Sequence, residues 1–126
     1  AILFETALHG ELLNLAEEDK KRGYADGMSA NRINAGLGTI ISQVLEQVGR
    51  EKIAGLYTTG GDTMVNVCYQ LGVECIEVMD YVIPQTDVGR LVGKYDGLPV
   101  VGKGGLTGND NTACDIVERL FKESAR

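Results

Sequence analysis

The chain has 126 residues and a net charge of −6, from 18 acidic and 12 basic side chains. The length fits a single domain with a modest core, and a hydrophobic content of 44% argues against disorder. Nucleic-acid binders usually carry a basic stripe. The one basic cluster here, at residues 20–22, directly follows three acidic residues, so we interpret it as a solvated helix end and expect no nucleic-acid partner.

The first part of the chain has the periodicity of two amphipathic helices. Apolar residues recur at helical spacing over residues 3–20, and a polar, glycine-containing break follows. A second helix is predicted from a cap at Ser29 to a stop at Gly49. Gly36 and Gly38 lie inside it, where each costs about 1 kcal/mol relative to Ala. They indicate either close helix packing or a later helix start.

From Lys52 onward the apolar residues no longer recur at helical spacing alone, and strand-like runs appear. Residues 53–59 form a short apolar run that predicts a buried strand. Residues 64–71 predict a short helix closed by Gly72, and the alternating residues 74–82 predict a second strand that ends before a proline.

The last part of the chain predicts a hairpin and a helix. Residues 88–103 have the pattern of two strands joined by Asp96-Gly97, the preferred pair for a two-residue type I′ turn. A final helix is predicted over residues 113–121, with Asn109, Asp110 or Asn111 as its cap. The element order predicts an α/β fold with a mixed, mainly parallel sheet flanked by helices and a β-hairpin before the last helix.

The cysteines and the histidine show no spacing typical of a disulfide framework or a metal site. Cys68, Cys75 and Cys114 cannot all pair within one chain and show no CxxC spacing. With the surface residue His9 as the single histidine, no structural zinc site and no metal-ligating residue is expected. Buried free thiols in a reducing cytoplasm are the simplest interpretation. No signal peptide and no apolar run of the roughly 20 residues that cross a bilayer is recognised, so no membrane partner is expected.

Two glycine-rich loops each follow a predicted strand and precede a helix. Their residues are Gly60, Gly61, Asp62 and Thr63 in the first loop and Lys103, Gly104 and Gly105 in the second. Helix N-termini leave unpaired N–H groups with a partial positive charge, and glycine lets the backbone approach an anion. Such loops form anion sites without basic side chains. If their strands are neighbours, the two loops face the same crevice.

The residues beside the glycines allow two interpretations. Asp62 can simply cap the helix, which is the commoner role on residue pattern alone. Alternatively, Asp62 or Thr63 orients phosphates or a hydrated Mg²⁺. Lys103 can be a strand-end lysine whose ammonium reaches water, or a point charge at a nucleotide phosphate.

A near match to the P-loop pattern at residues 97–104 does not hold. Gly104 stands where that motif needs the Ser or Thr that binds Mg²⁺, and the intervening residues are strand-like. A partial dinucleotide-binding pattern fails at Thr107, where its third glycine or alanine belongs.

Three segments in order carry a family resemblance. They are residues 57–63 (YTTGGDT), residues 71–73 (LGV) and residues 97–105 (GLPVVGKGG). Together they resemble the C-terminal nucleotide-binding domain of the four-carbon acid sugar kinases, long catalogued as a domain of unknown function. The likeness covers roughly residues 33–121.

The resemblance implies an ATP-dependent kinase acting on sugar acids, with Mg²⁺. In this family an N-terminal domain holds the sugar acid and a C-terminal domain holds ATP. By position, residues 60–63 would lie at the nucleotide phosphates, and Gly105 would be the nucleotide-contacting glycine of the second loop, beside Lys103 and Gly104. Residues 1–126 would form part of the C-terminal domain and be inactive alone, and no catalytic residue is assigned because the general base would lie in the other domain.

The sequence departs from the family at residues 106–108, where Leu-Thr-Gly replaces the commoner Phe-Gly. Two other interpretations stay open. One is a non-catalytic, regulatory module that binds a nucleotide or another anion, and the other is half of a small α/β dehydrogenase or transferase. The sequence does not fix the oligomeric state, and a homo-oligomer is compatible with it.

Overall fold

The computed structural model describes residues 1–126. Its helices are Leu15–Arg22 (α1), Met28–Val48 (α2), Gly61–Leu71 (α3) and Thr112–Ser124 (α4). A short 3₁₀ turn covers Arg50–Lys52, and the strands are Leu56–Thr59 (β1), Val73–Ile83 (β2), Thr86–Gly93 (β3) and Pro99–Lys103 (β4). No helix combines the length and the hydrophobicity needed to cross a bilayer.

Glycines end the helices where the sequence predicts. Gly49 follows α2, and its N–H donates to Leu45 O. Gly72 follows α3 in the left-handed conformation, with φ of 68°, and its N–H donates to carbonyls of the last turn. Asn111 caps α4, as one of the three predicted candidates, whereas the start of α2 differs from expectation. The cap of α2 is Gly27, because the N–H groups of Gly27 and Ser29 both donate to the buried carboxylate of Asp19.

The strands form one sheet in the order β1-β4-β3-β2. The α/β class, the mixed sheet and the hairpin before the last helix are confirmed. The sheet is not mainly parallel, since only β1 and β4 run parallel while β4–β3 and β3–β2 are antiparallel. The reason is a second hairpin, in which Pro84 and Gln85 join β2 directly to β3. A two-residue connection permits only antiparallel pairing.

The β3–β4 connection is longer than the predicted two-residue turn. Arg90 pairs with Pro99, and the N–H of Gly97 donates to Leu91 O over 2.8 Å. The loop folds inward because the Tyr95 ring is buried in the core, 7% exposed.

Helices cover both faces of the sheet. Adjacent residues Val100 and Val101 of β4 point to opposite faces, so this strand is buried on both sides. One face packs against α2 and α3 through Leu45, Val67, Leu71, Leu91, Tyr95, Leu98 and Val100. The other face packs against α4 through Val88, Val101, Ile116 and Leu120.

An ion-pair cluster fixes the end of α4 to the sheet. Glu123 is 1% exposed, and its Oε1 accepts from Arg119 Nε over 2.8 Å. Its Oε2 lies 3.5 Å from Arg90 Nη2 on β3, and Arg126 Nη1 lies 3.3 Å from Oε1. Arg119 also donates to Asp80 on β2, over 2.8 Å, so the cluster spans three elements.

The predicted helix over residues 3–20 is wrong for most of its length. Residues 1–14 are not helical and are exposed, and α1 begins at Leu15, where the Asn14 side chain accepts the Glu17 N–H. Isolated helices depend on packing of their apolar face. Here that face has no partner, since Leu3, Leu8 and Leu12 are 75%, 70% and 80% exposed.

All three cysteines are free, as predicted. The expectation that they are buried is wrong for Cys75 on the edge strand and Cys114 on the outer side of α4, which are both exposed. Cys68 is half-buried, and burial raises the pKa of its thiol. His9 is exposed, as expected, with Nδ1 3.0 Å from Glu5 Oε1.

Candidate functional site

The two glycine-rich loops meet at one edge of the sheet. Their strands, β1 and β4, are parallel neighbours, so their carboxyl ends lie side by side. Thr59 pairs in register with Lys103, and the Gly60 N–H donates to Lys103 O over 3.0 Å. The expected crevice between the loops therefore has a direct backbone link at its base.

The first loop presents open backbone at the start of α3. Gly60 is the N-cap, with φ of 90°, and no side chain caps the helix. The first helical hydrogen bond runs from Met64 N–H to Gly60 O, so the N–H groups of residues 61–63 have no acceptor in the helix. Gly61 is exposed, and a Cβ there would meet no atom within 4 Å. This geometry suits close approach by an anion.

The side chains of the first loop take different roles. The exposed Asp62 lies in the first turn of α3 and is not the cap that its residue type suggests. The negative charge of its carboxylate interacts favourably with the positive end of the helix dipole. Thr63 Oγ1 donates to Asn34 Oδ1 on α2 over 2.9 Å, so α2 helps to position the loop. Sequence reasoning missed Asn34 because only the tertiary contact between α2 and α3 brings it to the loop.

The second loop is folded around the ammonium of Lys103. Lys103 Nζ donates to Gly104 O over 2.6 Å and lies 3.4 Å from Gly105 O. Thr107 Oγ1 donates to the same Gly104 carbonyl over 3.1 Å. The ammonium therefore lies beside the carbonyl oxygens of its own loop. Gly105 is exposed, and a Cβ there would meet no atom within 4 Å.

Two threonine hydroxyls near the loops lack hydrogen-bond partners. Thr58 Oγ1, on β1, and Thr86 Oγ1, at the start of β3, are both buried. Thr86 pairs with Lys103 in the register of β3 and β4. No sequence pattern indicates these hydroxyls, because their burial depends on strand order and register.

The acidic groups near the loops do not form a metal centre. The structure has no cluster of three or more His, Cys, Asp or Glu side chains that could hold a metal ion. Two surface grooves, of 490 and 270 Å³, lie between the N-terminal segment and helices α1 and α2. Neither is lined by a residue of the glycine-rich loops.

A known family matches most of the chain. Residues 1–113 fit the family described as the nucleotide-binding C-terminal domain. The chain belongs to this family. The match includes the N-terminal segment, which the sequence resemblance over residues 33–121 left out.

Two kinases are similar in sequence to this chain. The chain is 40% identical over 113 residues to a D-erythronate kinase of Heliobacterium modesticaldum, and the alignment covers 89% of the chain and 26% of that kinase. It is 36% identical over 87 residues to a D-threonate kinase of Salmonella typhimurium, covering 68% of the chain and 20% of that kinase. The resemblance to the C-terminal domain of the four-carbon acid sugar kinases is thereby confirmed. The chain spans about a quarter or less of the length of these relatives.

Solved structures share the fold of the domain. Two crystal forms of a Bordetella bronchiseptica protein with a domain of unknown function, described with bound citrate as a domain-swapped dimer, superpose with TM-scores of 0.68 and 0.65. The sequence identities are 27% and 28%. The superpositions cover 78% and 82% of this chain, and 24% and 25% of the Bordetella chain.

Proposed function

We propose that this chain is the ATP-binding part of a sugar-acid kinase and that its two glycine-rich loops hold the nucleotide phosphates. The observation that carries the proposal is the junction of the loops, where Gly60 N–H donates to Lys103 O beside the open N–H groups of residues 61–63. Backbone donors at a helix N-terminus are the usual elements of a phosphate site. The kinase relatives support ATP as the nucleotide.

Each loop has a distinct part in this proposal. The N–H groups of Gly61, Asp62 and Thr63 would donate to phosphate oxygens, and Lys103 would neutralise charge beside Gly104 and Gly105. The Asp62 carboxylate would act through the hydrated Mg²⁺ that accompanies ATP, because direct contact with a phosphate would be repulsive. Phosphoryl transfer depends mainly on positioning and charge neutralisation, which these groups can supply.

The proposal assigns the sugar acid and the general base to a part of the enzyme outside these residues. The relatives act on D-erythronate and D-threonate, so four-carbon sugar acids are the first substrates to test on the full-length protein. Release of ADP that depends on one of these acids is expected. A protein that binds ATP but phosphorylates no sugar acid would instead be a non-catalytic nucleotide-binding module.

We also propose that the protein forms dimers in a cytoplasmic setting. The Bordetella protein is described as a domain-swapped dimer. In this chain the N-terminal segment, residues 1–14, is exposed and carries several uncovered apolar side chains, which a second copy would bury.

Gly61→Val tests the first loop. The substitution places a branched side chain where open backbone would meet the phosphates, and its Cβ would meet no atom within 4 Å. A saturating ligand at 100 times its Kd stabilises a protein by about 2.7 kcal/mol, so wild type should show a rise of several degrees in Tm with Mg-ATP. The variant should lose this rise while keeping its Tm without nucleotide.

Gly36→Val is the matched control. Gly36 is also an exposed helical glycine whose added Cβ meets no atom within 4 Å, but it lies on α2 and belongs to neither glycine-rich loop. This control should respond to Mg-ATP as wild type does. An undiminished response of the Gly61 variant would contradict the loop assignment, and stabilisation of wild type by NAD but not by ATP would contradict the kinase proposal.

A further inference from the structure

The tip of the β2–β3 hairpin lies against the second glycine loop. The Gly104 N–H donates to Gln85 O over 2.7 Å. A Cβ on Gly104 would lie 3.1 Å from Gln85 Oε1 and 3.3 Å from Gln85 Cβ, so the glutamine side chain runs alongside the loop backbone. The turn is therefore a third chain segment at the edge where the two loops meet.

Gln85 holds a backbone conformation that glutamine rarely adopts. Its φ is 61°, and it is the only non-glycine residue with positive φ. In this region the Cβ of an L-residue crowds a carbonyl oxygen, which glycine avoids. Strained backbone of this kind persists where the surrounding structure enforces it, and it clusters at ligand sites. Since glycine would fit the turn without strain, the distinctive contribution of glutamine is its carboxamide.

The chemistry of the carboxamide suits a phosphate. Gln85 is exposed, and its NH₂ group offers two donors without adding charge. It stands beside the loop that carries the Lys103 ammonium and the open backbone of Gly105. A donor beside a loop that carries a cation and uncovered backbone complements an anionic ligand, and hydrogen bonds to charged acceptors are the stronger ones.

We propose that the Gln85 carboxamide donates a hydrogen bond to a phosphate oxygen of the bound nucleotide, so that the β2–β3 turn forms a third wall of the site. This inference rests on the proposed function, since it needs a nucleotide at the glycine-rich loops. It adds a ligand-contacting residue that neither glycine-rich loop contains.

Gln85→Gly separates the side chain from the backbone. The variant keeps the carbonyl that accepts the Gly104 N–H, and it suits the positive φ, so its Tm without nucleotide should equal or exceed that of wild type. Isothermal titration calorimetry of the full-length protein with Mg-ATP should show a Kd about tenfold higher than for wild type, as expected for loss of one hydrogen bond to a charged group. Inorganic tripolyphosphate, which carries the phosphates alone, should lose affinity by the same factor.

Gln85→Asn is the conservative variant, because Asn tolerates the left-handed conformation and retains a carboxamide. It should recover part of the lost affinity. Wild-type affinity for ATP in Gln85→Gly, or a loss confined to ATP with tripolyphosphate unaffected, would overturn the phosphate contact. If Gly61→Val loses ATP binding while Gln85→Gly keeps it, the proposed function stands and only the Gln85 contact fails. A wild-type full-length protein that binds neither ligand would overturn both.

Discussion

At the scale of single residues, the Glu123 carboxylate is the clearest case of a charge whose burial depends on its partners. Arg119 and Arg126, on the same segment, and Arg90, on β3, surround it. The hydrogen bond from Arg119 is the main reason that the pKa of Glu123 lies below its ordinary value of 4.5, against the opposing effect of burial. The ion pairs therefore favour the charged form in the folded state.

Glu123→Gln should lower the free energy of unfolding at pH 7 by about 2 kcal/mol, because it leaves the partly buried guanidinium groups of Arg90 and Arg119 without their counter-charge. Since the folded-state pKa is lowered, the charge of Glu123 contributes its full stability above the unfolded-state value near 4.5. That contribution is lost as pH falls through the lower, folded-state value. Urea unfolding at a series of pH values should therefore show the difference from wild type shrinking as pH falls below the unfolded-state value near 4.5.

Glu118→Gln is the matched control on the same helix. Glu118 is exposed and takes part in no ion pair, so its neutralisation should change stability by less than about 0.5 kcal/mol at any pH. Equal effects of the two substitutions would show that net charge, not the cluster, controls the pH dependence.

Local pattern predicts some residue roles in this chain and not others. The open backbone at Gly61 follows from a glycine at the junction of strand and helix, which is visible in sequence. The contacts of Asn34 and Gln85 with the loops are not visible, because each residue reaches them only through tertiary packing. The phosphate contacts of the loop residues stay a prediction.

At the scale of elements, the contact between α2 and α3 depends on one of the two glycines inside α2. A Cβ on Gly38 would lie 2.7 Å from Gln70 Cγ and 2.8 Å from Asn66 O on α3. A Cβ on Gly36 would meet no atom within 4 Å. The close packing expected from this pair of glycines is therefore confirmed for Gly38 alone.

Gly38→Ala should destabilise the protein by about 1–3 kcal/mol in denaturant unfolding, because the added methyl group must push α3 away. This cost exceeds the gain of about 1 kcal/mol that Ala brings to a helix.

Gly36→Ala provides the comparison. It has the same helix-propensity gain without the steric clash, so it should stabilise the protein by about 0.5–1 kcal/mol. If both substitutions stabilised the protein, the two helices would not be in close contact at Gly38.

Elements with their own start and stop signals are the ones that sequence predicts. The ends of α2 and α3 are predicted because Gly49 and Gly72 can end a helix wherever they lie. The prediction of an N-terminal helix is wrong because its apolar face has no partner to pack against. The Pro84–Gln85 turn was missed because the usual hairpin signals are Asn-Gly or Asp-Gly, and here a glutamine takes the positive φ.

At the scale of the whole molecule, the N-terminal segment is the part that the fold leaves uncovered. Leu8 and Leu12 are 70% and 80% exposed, and a helix-like period of apolar residues continues through the segment. If two copies bury this segment, Leu8→Ser combined with Leu12→Ser should shift a wild-type dimer toward monomer in light scattering at micromolar concentration.

The control replaces an exposed apolar residue elsewhere. Val65 on α3 is 65% exposed, and Val65→Ser should leave the oligomeric state unchanged. A wild-type chain that is monomeric at every concentration, or a dimer that the leucine substitutions do not weaken, would contradict this role of the segment.

Strand order is the feature of the whole molecule that sequence leaves open. The chain shows which segments are strands, but β4 inserts between β1 and β3, and only that insertion brings the glycine-rich loops together. Non-local pairings of this kind have no signal in local periodicity.

The hydrogen bond from Gly60 to Lys103 also has a consequence for how the protein folds. It joins residues about 40 positions apart, and closing such a segment lowers the conformational entropy of the chain before the non-local contacts can compensate for that loss. The helix α3 and the strands β2 and β3 all lie between them. A chain that has folded only in part therefore cannot hold both loops in place, so the site and the global fold should appear and disappear in a single cooperative step.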